Sequence, residues 1–199
     1  MHLTSNSVNF STKSIGIIDY IWPIDNTYHT IYQTKTYSVD HYSKIINQGR
    51  LKGELGCNYL YEKAMINCNN TLIPKLDSSV QNIFTLLAMV SKKSQELVDA
   101  IWIPMDHEGA KFKGRFIFID TLDIKLGNQN ILCEHYRLDI IPVDSNNNKF
   151  VSDYFMDHIA LENTLRQLWI SKNNPRRIVK ASVELYGIKM LAEIILDNI

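Results

Sequence analysis

Leu122-Asp123-Ile124-Lys125-Leu126, Gly127-Asn128-Gln129-Asn130 and Ile131-Leu132-Cys133-Glu134-His135-Tyr136-Arg137-Leu138-Asp139-Ile140 form the stretch that decides the fold. Leu122, Ile124 and Leu126 alternate with Asp123 and Lys125, the period of a strand with one face inward. Gly127 to Asn130 supplies turn chemistry, and the chain returns with Leu132, Glu134, Tyr136, Leu138 and Ile140 on one side and Cys133, His135, Arg137 and Asp139 on the other. This is a hairpin.

The same grammar extends outward. Ile101-Trp102-Ile103-Pro104-Met105 leads to a turn at His107-Glu108-Gly109, and Arg115-Phe116-Ile117-Phe118-Ile119 makes an apolar strand. Toward the C-terminus, Leu168-Trp169-Ile170 precedes a turn at Asn173-Asn174-Pro175. Val179, Ala181, Val183 and Leu185 then oppose Lys180, Ser182 and Glu184, and a turn at Tyr186-Gly187 leads to Met190, Ala192, Ile194 and Leu196. Toward the N-terminus, strands are expected over 28–39, 45–55 and 57–68. The run 144–149 is a loop, and 151–163 fits a short helix as well as a strand. One helix is expected from Asp77 to Val90, capped by Asp77, with Val80, Ile83, Phe84, Leu87 and Val90 on its buried face.

Short Gly/Asn turns require antiparallel neighbours, because parallel strands need crossovers of about a dozen residues. The expected fold is mainly β (α+β): a large curved antiparallel sheet, a half-barrel or incomplete barrel, wrapped over one long helix. Residues 1–14 read as a flexible polar lead-in and 15–199 as a single β-rich domain.

Twenty-one basic residues balance twenty-one acidic ones, which removes the electrostatic case for nucleic acid as a partner. No apolar run approaches the roughly eighteen residues of a membrane-spanning helix. The first residues lack the basic and apolar regions of a secretory signal, which leaves a cytoplasmic location open beside export of a processed chain. Cys57 and Cys68 lie eleven apart, so a turn near Glu62 and Lys63 would set them opposite each other, as a disulfide or as two half-buried thiols; Cys133 is then either a core thiol or the odd one out.

Catalytic signatures are missing: no phosphate-binding glycine loop, nucleophile elbow or zinc-protease motif is present, so no enzyme activity, cofactor or metal is assigned. The histidine clusters Asp106-His107-Glu108, Glu134-His135 and Asp157-His158 read as solvated turn and surface groups; a composite hydrolytic site is the sharper alternative. Arg176 and Arg177, with Lys172 and Lys180 nearby, form a basic hairpin tip, either solvated or docking to an acidic protein or lipid headgroups. Phe84, Leu87, Trp102, Phe116, Phe118, Tyr136 and Trp169 are the candidates for lining an apolar ligand cavity.

The order from Asp77 to Glu193 resembles a bacterial envelope domain of unknown function, similar in shape to the lipoprotein-carrier (LolA-like) superfamily. The matching pieces are the Asp77–Val90 helix, Trp102-Ile103-Pro104, the Asp120-Thr121-Leu122 to Gly127 strand returning through Cys133, and Leu168-Trp169-Ile170-Ser171. Pro175-Arg176-Arg177-Ile178 and Tyr186-Gly187-Ile188 to Ala192-Glu193 complete it. The resemblance implies an exported, periplasmic protein with an apolar concavity, in some relatives a carrier of acyl chains. The function expected on this footing is noncatalytic binding of a lipid or acyl chain; the alternative is a structural module docking an envelope protein without a small ligand.

Overall fold

The computed structural model describes residues 1–74, 79–143, 150 and 152–193. Its strands are β1 (His2–Leu3), β2 (Ser7–Lys13), β3 (Asp25–Tyr32), β4 (Val39–Gln48), β5 (Leu51–Leu60), β6 (Met65–Cys68), β7 (Thr71–Pro74), β8 (Ile103–His107), β9 (Ala110–Leu126), β10 (Gln129–Pro142), β11 (Leu165–Ser171), β12 (Ile178–Leu185) and β13 (Ile188–Glu193). The helices are α1 (Ile17–Ile21), α2 (Ile83–Lys92) and α3 (Tyr154–Ile159).

The protein is mostly β, as the alternation requires, but the strands form two open antiparallel sheets rather than one. The first runs β1-β2-β3-β4-β5-β6-β7 and the second β13-β12-β11-β10-β9-β8. Neither closes into a barrel. The backbone groups into two compact units: Met1–Ala88 with Ile103–Lys113 and Pro142–Asp157, and Met89–Trp102 with Gly114–Ile141 and His158–Ile199. The segment 1–14, expected to be a loose lead-in, contains β1 and β2; β2 pairs with β3 from Ser7↔Ile31 to Lys13↔Asp25, and Val8 is buried.

The strand over 28–39 is really the end of β3, a turn and the start of β4, and the break in 45–55 falls at Gly49, whose φ of +57° is the left-handed value a tight turn needs. The apolar strand at 115–119 and the alternating one at 122–126 are parts of a single long β9. A 3-10 turn at Tyr61–Lys63 pairs Cys57 with Cys68 in register, and the two are disulfide-bonded. Asn69 and Asn70, both at positive φ, make the next turn, where short polar side chains tolerate the left-handed region.

Helix α2 begins later than expected. Asn82 caps it: the Thr85 N–H donates to Asn82 Oδ1 at 3.0 Å and the Asn82 N–H donates to Thr85 Oγ1 at 3.0 Å, a reciprocal pair that satisfies two orphan donors. Asp77, the expected cap, lies outside the described residues, as do Ile194 and Leu196. The helix is also not one-faced, since every residue from Ile83 to Ser91 except Leu87 is buried. Segment 151–163 resolves to α3, because Asp153 Oδ1 accepts the N–H groups of Phe155 and Met156, each at 3.1 Å. Among the described residues no helix is long and apolar enough to cross a membrane.

Opening the Cys57–Cys68 link by a Cys57→Ser/Cys68→Ser pair should cost roughly 2–4 kcal/mol, because closing a short loop removes entropy from the unfolded chain. Urea midpoints of wild type and variant check this; equal midpoints would show that the β5–β6 hairpin holds without the bond.

Candidate functional site

Strand β4 turns Tyr42, Lys44, Ile46 and Gln48 toward the interior, so Lys44 is inward by periodicity and its side chain is fully buried. Its register partners are Tyr28 on β3 and Leu55 on β5. An isolated ammonium there would be costly; it survives because two carboxylates meet it. Glu108 Oε1 lies 2.5 Å from Lys44 Nζ, and Asp153 Oδ2 lies 3.4 Å away.

Phenols complete the cluster. The Tyr42 hydroxyl donates to Glu108 at 3.0 Å, the Tyr28 hydroxyl to Asp153 Oδ1 at 2.7 Å and the Tyr59 hydroxyl to Asp106 at 2.6 Å. Around them, Phe10 packs against Tyr28, Phe84 and Phe155 with ring centroids 5.7, 5.5 and 5.2 Å apart, and Tyr42 stacks on Phe84. The interior of the first unit is therefore an aromatic shell around charged groups.

The turn 106–109, read as solvated, is instead buried at both acids. Asp106 shapes it by accepting the Gly109 N–H at 3.1 Å, and Glu108 and Gly109 take φ of +53° and +89°. A Cβ at Gly109 would lie 2.7 Å from Ile73 Cδ1, so the turn is packed as well as strained. Burial favours the neutral forms of Asp106 and Glu108. Asp106 is pushed up to about 6 by desolvation, against its hydrogen bonds from Tyr59 and Gly109. Glu108 is also raised by burial, with Lys44 pulling the other way. Burial and the Lys44 charge hold His107 down at about 4. Its Nδ1 is buried without a partner among the described residues, and its ring lies edge-on to Phe112 at 5.5 Å.

The other face of β2, β3 and β4 carries a groove of about 480 Å³, lined by Met1, His2, Asn9, Ser11, Thr27, His29, Ser43 and Ile45. His29 Nδ1 lies 2.6 Å from Asn9 Oδ1. Phe10, Tyr28 and Lys44 complete the lining, which mixes apolar and polar groups.

Of the residues expected to line one apolar cavity, Phe84 and Leu87 belong to the first unit and Trp102, Phe116, Phe118, Tyr136 and Trp169 to the second. Phe84 is in the aromatic interior of the first unit. Leu87 is half-buried on α2. In the second unit, Phe116 and Phe118 meet Tyr136 edge-on at 6.3 and 5.8 Å. Trp169 occupies the opposite face: it pairs with His135, whose ring it stacks on at 4.7 Å, while Leu168 pairs with Tyr136. Trp102 is partly exposed, with the Arg115 guanidinium 4.4 Å over its ring. None of the seven lines the groove.

The basic tip is likewise divided. Arg176 donates to Glu134 Oε2 at 2.8 Å, and Tyr136 donates to the same oxygen at 2.7 Å, so this charge is spent internally while Arg177 is exposed. Of the histidines, His107 belongs to the first unit and His135 and His158 to the second. His135 is held by Asp120 at 3.1 Å and Gln167 at 3.2 Å. Among the described residues no group of three or more His, Cys, Asp or Glu could hold a metal ion. Cys133 is free and buried, and burial pushes its thiol up to about 11.

No protein-family model matches this chain, and neither a curated protein nor a solved structure matches it.

Two opposed pH trends follow from Asp106 and His107. A folded pKa of about 6 against an ordinary 3.8 means that Asp106 holds a proton in the native state that the unfolded chain releases; this contribution is full below 3.8 and is lost as pH rises through 6. A folded pKa of about 4 against 6.5 means that the His107 contribution is full above 6.5 and is lost as pH falls through 4. Relative to wild type, Asp106→Asn should therefore lose stability more steeply as pH falls, and His107→Phe more steeply as pH rises. Denaturant midpoints measured across this range check the signs; parallel curves would show that neither group is perturbed by the interior.

Proposed function

We propose that this protein is a noncatalytic, exported docking module that binds a protein partner of the cell envelope. The observation that carries the reading is the segment between β2 and β3. Ile15 is 81% exposed, Tyr20 93% and Ile21 74%, a density of large apolar side chains in water that marks a recognition surface better than a random scatter does. The segment is anchored at its base. The Ser14 hydroxyl donates to Asp19 at 2.7 Å and the Ser14 N–H to the Ile24 carbonyl at 3.0 Å, while the Ile24 N–H returns to Ser14 Oγ at 2.8 Å. Trp22 packs edge-on to Tyr154 at 5.6 Å. A fixed base under an apolar tip keeps the ordering cost of binding small.

Export is supported by the Cys57–Cys68 disulfide, since such bonds persist mainly in oxidising compartments. It also accords with the resemblance of the region from Asp77 onward to an envelope domain. The carrier reading draws less support, because Trp169 and Tyr136, both candidates for a cavity wall, stand on opposite faces of one sheet. Docking through Arg176 and Arg177 draws less support too, since Glu134 already neutralises Arg176.

Installing a photo-crosslinking phenylalanine analogue in place of Tyr20, in cells, should yield one discrete protein adduct that disappears when Ile21→Asp is added. The same analogue in place of Tyr186, also highly exposed, serves as the control. An equal adduct pattern from both positions would defeat the docking reading, and a co-purifying acyl lipid with no adduct would favour the carrier.

A further inference from the structure

We propose that Lys44 and Asp153 condense spontaneously into an intramolecular amide bond, with Glu108 moving the proton, so that the folded chain cross-links itself. The proposal goes beyond docking and does not depend on it.

The three groups are arranged for this reaction. Lys44 Nζ is the nucleophile, fully buried between the two acids. Asp153 is the electrophile. Its Oδ1 accepts three hydrogen bonds, from the Tyr28 hydroxyl at 2.7 Å and from the N–H groups of Phe155 and Met156 at 3.1 Å each. Donors gathered on one carboxyl oxygen polarise the carbon beside it and stabilise the oxyanion that attack creates. The other oxygen, Oδ2, faces Lys44 Nζ at 3.4 Å and is the one positioned to leave. Glu108 touches Nζ at 2.5 Å through Oε1, which the Tyr42 hydroxyl also orients at 3.0 Å.

The sequence of bonds closes without any further reagent. Glu108 takes a proton from the Lys44 ammonium and hands it to Asp153 Oδ2, which makes that carboxyl a neutral acid, and the freed amine then attacks Cγ, forming the C–N bond and placing the electron pair on Oδ1. The adduct collapses as the Cγ–Oδ2 bond breaks. Oδ2 leaves as water with one proton returned by Glu108 and a second from the nitrogen. An ammonium and a carboxylate become an amide and one water, with Glu108 restored and no electrons exchanged.

Two physical terms favour the product. The Lys44 and Asp153 side chains are both fully buried, and in such surroundings each buried charge carries a desolvation cost that the neutral amide removes. The fold also holds amine and carboxyl at contact, where effective concentrations far exceed those of free groups. Burial raises Glu108, which suits it to hold a proton in transit. The partners lie 109 residues apart in sequence, so the bond would close a loop over more than half of the chain.

The test is the intact mass of the denatured full-length chain, then tandem mass spectrometry of its peptides. The expected wild-type mass is one water below the sequence value, in addition to the two hydrogens lost at the disulfide, with one branched peptide joining Lys44 to Asp153. Glu108→Gln is expected to fold, by circular dichroism, and to keep the water. A wild-type chain at the full mass after prolonged incubation overturns the proposal, whatever the variant does. A branch at Glu108 instead of Asp153 overturns the assigned electrophile, and a Glu108→Gln chain that still lacks the water overturns the proton carrier.

Discussion

A lysine on the inward side of a strand is the constraint around which the first unit is organised. Lys44 cannot turn outward without moving Tyr42 and Ile46 with it, because strand periodicity is shared by every residue of β4. Its charge must therefore be met inside, and the two acids that meet it come from segments far away in the chain. Glu108 arrives on a turn held in the left-handed region, and Asp153 arrives at the start of α3, whose first amides it also caps. Each acid thus serves local backbone geometry and a distant cation at once. Changing either disturbs both.

The second unit handles its buried charges by separate devices. Arg166 is buried and donates to the backbone carbonyls of Ile159, Thr164 and Leu161, so a guanidinium with five donors closes the exit of α3. Arg176 instead meets a carboxylate, Glu134, which Tyr136 also holds. Charge in the interior is in both cases matched to groups on neighbouring turns and strands.

Much of this architecture was legible in the residues. The hairpin through Gly127 could be read from the alternation of its strands, and burial in β10 follows that alternation from Glu134 to Ile140, whereas Leu132, expected inward, is exposed and Cys133, expected on the other side, is buried against Leu126, Trp169 and Val179. The pairing of Cys57 with Cys68 followed from a turn placed midway between them. Other features were hidden for identifiable reasons. Asn82 is as good a cap as Asp77, and the choice rests on Thr85 answering it. The turn Asp106-His107-Glu108-Gly109 has the composition of a wet loop, and nothing local reveals that Tyr42, 66 residues away from Glu108, lies against it. Aromatic residues that look alike in sequence separate when the register is known: Tyr136 opposite Leu168 and Trp169 opposite His135 must point to different faces. A signal for the buried site did exist, in a lysine occupying an inward position of β4 between Tyr42 and Ile46. It becomes informative only once the inward face is fixed.

Gly49 extends the reach of that logic to the exposed tip. A Cβ at this position would lie 2.6 Å from Cδ1 and 2.7 Å from Nε1 of Trp22, so the indole occupies the space a side chain would take. The anchoring of Tyr20 and Ile21 is thereby written into a residue on another strand connection, by an atom that is missing there. Evolution has few ways to retune such a loop one residue at a time: a larger residue at 49 would need both a smaller one at 22 and a turn that no longer holds the left-handed φ, so the two positions should be kept together.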